Sequence, residues 1–247
     1  MVERRDQPAV ATFFHDGDFA SGPFQTGEVA KLIEAQAHHV AVRRLAVGDP
    51  VTLTDGRGRR GHGVLESVAA FSTEVRVETV EIIPPPSPLE LYLAVADLDR
   101  TLLVAEKAVE VGVTAWRPVF CARSASVRPR AEGKKSSERL MRRMVAALLQ
   151  SGGAWLPAIH DQVELSLAAQ TSRGTRVVCD RAGGPIATVN QRGGVAVLVG
   201  PEGGLESTEQ SILDDAGWAR VSLGPTTLRF ETAAIVAIGA LRALGGT

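Results

Sequence analysis

Two glycine-punctuated loops in the last fifth of the chain carry the residue types best suited to holding a ligand. One is Val195-Ala-Val-Leu-Val-Gly-Pro-Glu-Gly-Gly204, an apolar run that opens directly into glycines. The other is Leu223-Gly-Pro-Thr-Thr-Leu-Arg-Phe-Glu-Thr-Ala233, which leads into an apolar helix. Glycine lacks a Cβ, so main-chain N–H and C=O groups in such loops can approach a bound molecule closely. Alone, either loop reads as an ordinary strand-to-helix turn. Together, at the carboxyl ends of parallel strands, they can face one another across the crevice where open α/β sheets hold their ligands. The candidate binding residues are Val199, Gly200, Pro201, Glu202, Gly203 and Gly204 in the first loop, and Leu223, Gly224 and Leu228 in the second. Glu202 either reaches the ligand or serves as a helix-entry carboxylate favoured by the macrodipole. Arg229 and Glu231 place a cation and a carboxylate just beyond the second loop. Either Arg229 faces the reacting ligand, or the two form a structural ion pair.

The elements that must position these loops are legible in the hydrophobic pattern. Residues 1–81 alternate apolar and polar positions in short runs, as in Val51-Thr-Leu-Thr and the period-two stretch Thr73–Val80. That alternation predicts a small β-rich domain, a barrel. Residues 82–88 form a linker, with four prolines among the five positions 84–88 imposing an extended backbone. From Leu89 to the C-terminus the pattern changes to strands alternating with helices, which predicts an α/β domain over 89–247 built on a parallel sheet. Its expected strands include Leu91-Tyr-Leu-Ala-Val, Trp116-Arg-Pro-Val-Phe and Thr175-Arg-Val-Val-Cys. Its expected helices include Leu102–Val111, closed by Gly112, and a long one from about Ser136 to Gln150. The run Thr232–Leu241 is apolar on every side, and such a helix must be buried all round. With few residues left to cover it, a second copy of the chain is the economical cover, and a homodimer is expected. Burial within one chain is the alternative.

Composition bounds the reading further. The chain has 247 residues, 45% of them hydrophobic, enough for a sizeable core. A net charge of −1 excludes a global basic field, so any nucleic-acid footprint must be a local patch. Cys121 and Cys179 have apolar neighbours and no CxxC spacing, which predicts reduced core thiols and no metal site. No apolar leader and no membrane-length apolar run is present, so a soluble, cytoplasmic, unprocessed chain is expected. Gly56-Arg-Gly-Arg-Arg-Gly61 matches a dinucleotide-binding spacing, but it joins two β-type runs and is read as a hairpin turn.

Gly200-Pro-Glu-Gly-Gly204 with Glu209 behind it, Leu223-Gly-Pro, and Leu228-Arg-x-Glu-Thr-Ala233 resemble the C-terminal signature of the RsmE family. Lys107-Ala-Val-Glu-Val-Gly-Val113, Arg123-Ser124, Gln150-Ser151 and His38-His39 resemble further family motifs in the same order, so the resemblance spans nearly the whole chain. It implies a SPOUT-type parallel sheet with a C-terminal trefoil knot, preceded by a PUA-like β-barrel domain. It also implies S-adenosyl-L-methionine as cofactor, wrapped by the two loops, with its adenine bonded by main chain near Leu223 and Leu228. The implied reaction is methylation of N3 of a uridine in small-subunit ribosomal RNA. Arg229, with Glu231 beside it, would then face negative charge on the base or a flanking phosphate. No side chain stands out as a general base.

A basic stretch containing Arg123, Arg128, Arg130, Lys134 and Lys135 offers a phosphate track, with a solvated helix face as the alternative. Arg43 and Arg44, with Arg57, Arg59 and Arg60, form a second basic cluster in the first domain, fitting a small RNA-guiding module. The segment Thr226-Thr-Leu-Arg229 lacks the first arginine of the family pattern, and Asp97 stands where a lysine is expected. Those departures keep open a catalytically altered RNA-binding paralogue that retains the cofactor pocket. A metabolic α/β enzyme using the same pocket is a third reading.

Overall fold

The computed structural model describes residues 10–15, 24–32, 34–69, 73–124, 134–172 and 174–245. The chain divides into two compact units, one of residues 1–85 with 148–155, the other of 86–147 with 156–247.

The first unit holds β1 (Ala11–Phe14), β2 (Val29–Leu32), α1 (Glu34–Val42), β3 (Pro50–Thr54), β4 (Arg59–Val68) and β5 (Thr73–Ile82). They form one sheet in the order β1-β3-β4-β5-β2, parallel between β1 and β3 and antiparallel elsewhere. Among the described residues no ladder joins β1 to β2, so the hydrogen-bonded order ends at those two edges. The alternation seen in the sequence puts Phe13, Leu53, Leu65, Val75 and Val77 into a single core, which Val40 of α1 joins. The G-x-G-x-x-G stretch is a hairpin turn between β3 and β4. Asp55 Oδ1 accepts from the backbone N–H groups of Arg57 (2.7 Å) and Arg59 (3.0 Å), a local side-chain bond that competes with further pairing. Residues 148–155 complete this unit: Trp155 Nε1 donates to the Ile83 carbonyl at 3.0 Å, and its ring lies against Gly58.

The second unit is built on β6 (Leu89–Ala94), α2 (Leu98–Val111), β7 (Ala115–Phe120), α3 (Lys134–Ser151, shared with the first unit at its last turn), β8 (Ala158–Ile159), β9 (Val163–Glu164) and α4 (Leu165–Thr171). It continues with β10 (Thr175–Pro185), β11 (Val195–Val199), α5 (Ser207–Asp215), β12 (Ala219–Ser222) and α6 (Phe230–Leu244). Strand order is β12-β10-β11-β6-β7-β8, with β9 also on β7, and every pairing is parallel. Central β11 is buried at all its positions, as its unbroken Val-Ala-Val-Leu-Val requires of a parallel strand covered on both faces. The helix expected from Leu102 starts earlier, at Leu98, because Asp97 caps it by accepting from the Asp99 N–H at 3.0 Å. Gly112 closes the same helix with φ of 81°, a left-handed conformation that disfavours a side chain. No described helix is long and apolar enough to cross a membrane.

Helix α6 packs against α2, β6 and β11, burying Phe230, Ala234, Ala237, Ile238 and Leu241 along one face. Val236 and Leu244 are exposed within one chain, so burial by this chain alone does not cover the helix all round. Near its end, Arg242 donates to the carbonyls of Ser87 (2.9 Å), Val111 (3.2 Å) and Gly112, fastening α6 to the C-terminus of α2.

A bulge in the β4–β5 ladder brings Gly63 so close to β5 that a Cβ there would lie 2.0 Å from the Arg76 carbonyl oxygen. Gly63→Ala should therefore lower stability by about 1–3 kcal/mol, the usual cost of overpacking. Urea denaturation of the variant checks this, and an unchanged midpoint contradicts it.

Candidate active site

The carboxyl ends of β10, β11 and β12 open onto one cavity of about 370 Å³. After β11 the chain turns through Pro201–Gly204, where the Gly204 N–H donates to the Pro201 carbonyl at 2.8 Å and Gly204 takes φ of 72°. A side chain there would strain the turn. After β12, Gly224 adopts φ of 140°, and its N–H donates to Ser222 Oγ at 3.3 Å. Arg229 has extended backbone as the residue that enters α6, and its exposed side chain lies in the cavity wall.

The third wall comes from β10. Cys179 and Gly184 both pair with Val221, so Asp180–Gly183 are extruded as a bulge. Gly183 fits because its α-carbon lies against β12; a Cβ would sit 2.5 Å from the Arg220 carbonyl carbon. Asp180 is fixed in turn, accepting from Arg220 Nη1 at 3.3 Å and from the Ala182 N–H at 2.9 Å. Bulges commonly re-aim side chains beside functional sites. Here the bulge sets Asp180 and Arg181 into the cavity wall.

The first loop is held from outside by charge. Glu202 pairs with Arg100 of α2, so its carboxylate orders the loop. Arg123 donates to the Gly203 carbonyl and lies 3.9 Å from Glu206. Glu209, only 8% exposed, uses both carboxylate oxygens: Oε1 accepts from the Ala122 N–H and Oε2 from the Glu206 N–H, each at 2.8 Å. That carboxylate ties the chain after β7 to the entry of α5. Its negative charge also helps to raise the neighbouring Cys121 thiol to about 12, although burial is the larger cause.

Of the residues singled out in the sequence, Val199, Gly200, Pro201, Glu202, Gly204, Leu223, Gly224, Leu228 and Arg229 line this one cavity. Gly203 is not in its wall; the Arg123 stem packs on it, and a Cβ there would be 3.0 Å from that stem. Glu231 is not in the wall either, and one of its carboxylate oxygens is buried without a hydrogen-bond partner among the described residues. No Arg229–Glu231 ion pair forms among the described residues, because Arg229 precedes the helix with its side chain exposed. Cys179 departs from the expected core position in part: it is not fully buried and forms part of the cavity wall. Desolvation still pushes its thiol up to about 12, so it is neutral at pH 7 and offers no thiolate nucleophile.

Sequence reasoning missed Asp180, Arg181, Leu205 and Phe230 in the wall. Gly183-Gly184 following an apolar strand repeats the pattern that identified the other two loops, and was the available signal. Among the basic candidates, Arg43 and Arg44 are exposed just after α1. Lys135 is exposed on the first turn of α3, while Lys134 begins that helix and its side chain lies outside the described set. Arg128 and Arg130 lie outside the described residues. Further along α3, Arg139 and Arg143 pair with Asp99 (3.5 Å) and Glu106 (3.0 Å) of α2, so that stretch is partly neutralised.

Residues 84–242 match the family model of an RNA methyltransferase domain, and residues 32–70 match an RNA methyltransferase PUA domain. The chain is 32% identical over 230 residues to ribosomal RNA small subunit methyltransferase E of Mycobacterium bovis, covering 89% of this chain and 88% of that protein. The chain belongs to the ribosomal RNA small subunit methyltransferase E family. Solved structures agree in fold. A probable rRNA methyltransferase from Porphyromonas gingivalis superposes with a TM-score of 0.80 at 27% identity, covering 95% of this chain and 98% of that one. The Neisseria gonorrhoeae methyltransferase E, bound to S-adenosyl methionine, gives 0.81 at 24% identity over 95% and 98% of the two chains. The cavity of this family member therefore sits on a sheet of known type.

Replacing Glu209 by Ala would leave two backbone donors without their ionised acceptor. Such bonds contribute about 1.5–3 kcal/mol each, so Glu209→Ala should lower stability by several kcal/mol and loosen the Pro201–Gly204 turn. Thermal unfolding and amide exchange at Ala122 and Glu206 check it; unchanged protection at both would refute the bridge.

Proposed function

We propose that this protein is an RNA methyltransferase that uses S-adenosyl-L-methionine to methylate small-subunit ribosomal RNA, at N3 of a uridine, in the cytoplasm. The observation that carries the reading is the convergence of two glycine loops and the β10 bulge on a single cavity at the carboxyl edge of a parallel sheet. The cavity fits the cofactor by its main-chain polar groups, from Val199–Glu202, Gly204, Leu223, Gly224 and Leu228, with Glu202 holding the first loop through Arg100. When bound, the cofactor supplies an electrophilic methyl group. The protein's own task is positioning, which can account for a large part of barrier lowering in a bimolecular displacement. Arg229 is the proposed catalytic cation, at the cavity wall and exposed, facing charge that grows on the uracil as N3 loses its proton. Glu231, two residues on, is proposed as its positioning residue, having one buried carboxylate oxygen still without a described partner. Gly203 serves the cofactor loop indirectly, by seating Arg123. Arg43, Arg44, Arg123, Arg128, Arg130, Lys134 and Lys135 are proposed to bear on RNA phosphates, with Arg123 dividing its charge between that role and the loop.

The domain limits proposed are a PUA-like RNA-guiding domain over 1–81, a linker over 82–88 and the methyltransferase domain over 89–247. Within the last, the C-terminal segment is proposed to thread a trefoil knot. A homodimer is proposed through α6, whose outer face leaves Val236 and Leu244 exposed beside the small residues Gly239 and Ala240.

Mass spectrometry of small-subunit ribosomal RNA from a deletion strain should show loss of one methyl-uridine. The wild-type gene should restore it, and Arg229→Ala should restore it poorly. An unaltered modification profile in the deletion strain refutes the function. Sedimentation equilibrium at micromolar concentration should give twice the monomer mass, whereas a monomer mass would sink the dimer.

A further inference from the structure

The β10 bulge serves a purpose that cofactor binding alone does not require. Arg181, at its tip, is exposed and belongs to two walls at once: that of the 370 Å³ cavity and that of an adjoining open depression of about 640 Å³. The depression is otherwise lined by Gly183, Pro185, Ser222, Gly224 and Pro225, small or flat residues with no carboxylate among them.

Charge accounting singles Arg181 out. Both carboxylates in the cavity wall already have a cation: Glu202 pairs with Arg100, and Asp180, at 3.3 Å, shares Arg220 with Asp214, at 2.6 Å. Arg181 forms no ion pair with a described residue, and neither does Arg229. Counted with the paired neighbours Arg100, Arg220 and Asp214, the wall keeps a surplus of positive charge, and Arg181 stands where the cavity meets the depression. The bulge holds it there through Asp180, which is bonded to Arg220 and to the Ala182 N–H, and through Gly183, pressed against the β12 backbone.

We propose that the depression beside the cavity is a subsite for the nucleotide adjoining the target base in the RNA strand, with Arg181 binding the phosphodiester between them. This rests on the methyltransferase reading above. A guanidinium suits the task because its planar fork matches phosphate oxygens in two parallel hydrogen bonds. Proline rings and glycine backbone give the sugar or base a flat surface without hydrogen-bonding demands, so the subsite holds a neighbour with little sequence preference. Arg181 stands at the boundary of the cofactor cavity and the depression, and its charge acts on RNA.

The test compares wild type with Arg181→Ala and Arg181→Lys. Equilibrium binding of small-subunit ribosomal RNA is measured over a range of potassium chloride concentrations with S-adenosylhomocysteine present. Binding of S-adenosyl-L-methionine without RNA is measured by calorimetry. Arg181→Ala should weaken RNA binding several-fold at low salt and flatten the salt dependence by about 0.7–0.9 in slope, the value of one phosphate contact. Arg181→Lys should keep most of that slope, and cofactor affinity should be unchanged in both variants. RNA binding by Arg181→Ala indistinguishable from wild type overturns the proposal. So does a loss of cofactor affinity, which would assign Arg181 to the cofactor's own carboxylate. Binding is read without turnover. An Arg181 effect on RNA in a protein that transfers no methyl group would overturn the reaction and uphold the subsite, whereas wild type that binds no RNA overturns both.

Discussion

A buried carboxylate with two backbone donors holds the site together. Glu209 accepts from Ala122, in the chain leaving β7, and from Glu206, at the entry of α5. Burying a charge is costly unless hydrogen bonds replace its hydration. Both oxygens of Glu209 have theirs, and the geometry that satisfies them fixes where the glycine loop after β11 begins its helix. The chain after β7 thereby carries Arg123 to the Gly203 carbonyl, and the loop is gripped from both ends. A loop rich in glycine has much entropy to lose. Anchoring it through neighbours leaves its main chain ordered and its inner face clear.

The same division of labour recurs around the cavity. Arg100, Arg123 and Arg220 each direct their charge at a loop or bulge rather than into the opening. Glu202, which the sequence offers as a ligand-binding acid, is thereby paired in place, and Asp180 shares Arg220 with Asp214. The charge left over is positive, on Arg229 and Arg181. Preorganised charge of this kind stabilises charge developing in a reaction without rearrangement at that moment. Arg242 does analogous work at the opposite edge of the sheet, capping α2 from the end of α6.

Much of this was written in the sequence, and the reason is local. Central β11 reads as an unbroken apolar run because a parallel strand is covered on both faces, so its end and the glycine loop after it are evident. The β-rich first unit announces itself through period-two alternation, and Asp55 marks its hairpin by bonding its own neighbours. The candidate binding residues of the two loops, Gly203 apart, share one cavity wall.

What the tertiary structure decided is whatever depends on residues far apart in the chain. Spacing left open whether Arg229 faces a ligand or pairs with Glu231; the turn into α6 sets the arginine in the cavity wall and leaves Glu231 off it. Cys179 sits in an apolar stretch, and only the bulge that pairs both it and Gly184 with Val221 turns it into wall. That bulge exists because Gly183 can lie against a strand some forty residues later, a fact no window of sequence contains. Charge has the same limit. Composition counts arginines, but only the fold shows that Arg220 and Arg100 hold carboxylates while Arg181 and Arg229 form no ion pair with a described residue, because pairing is set by through-space distance and not by order along the chain.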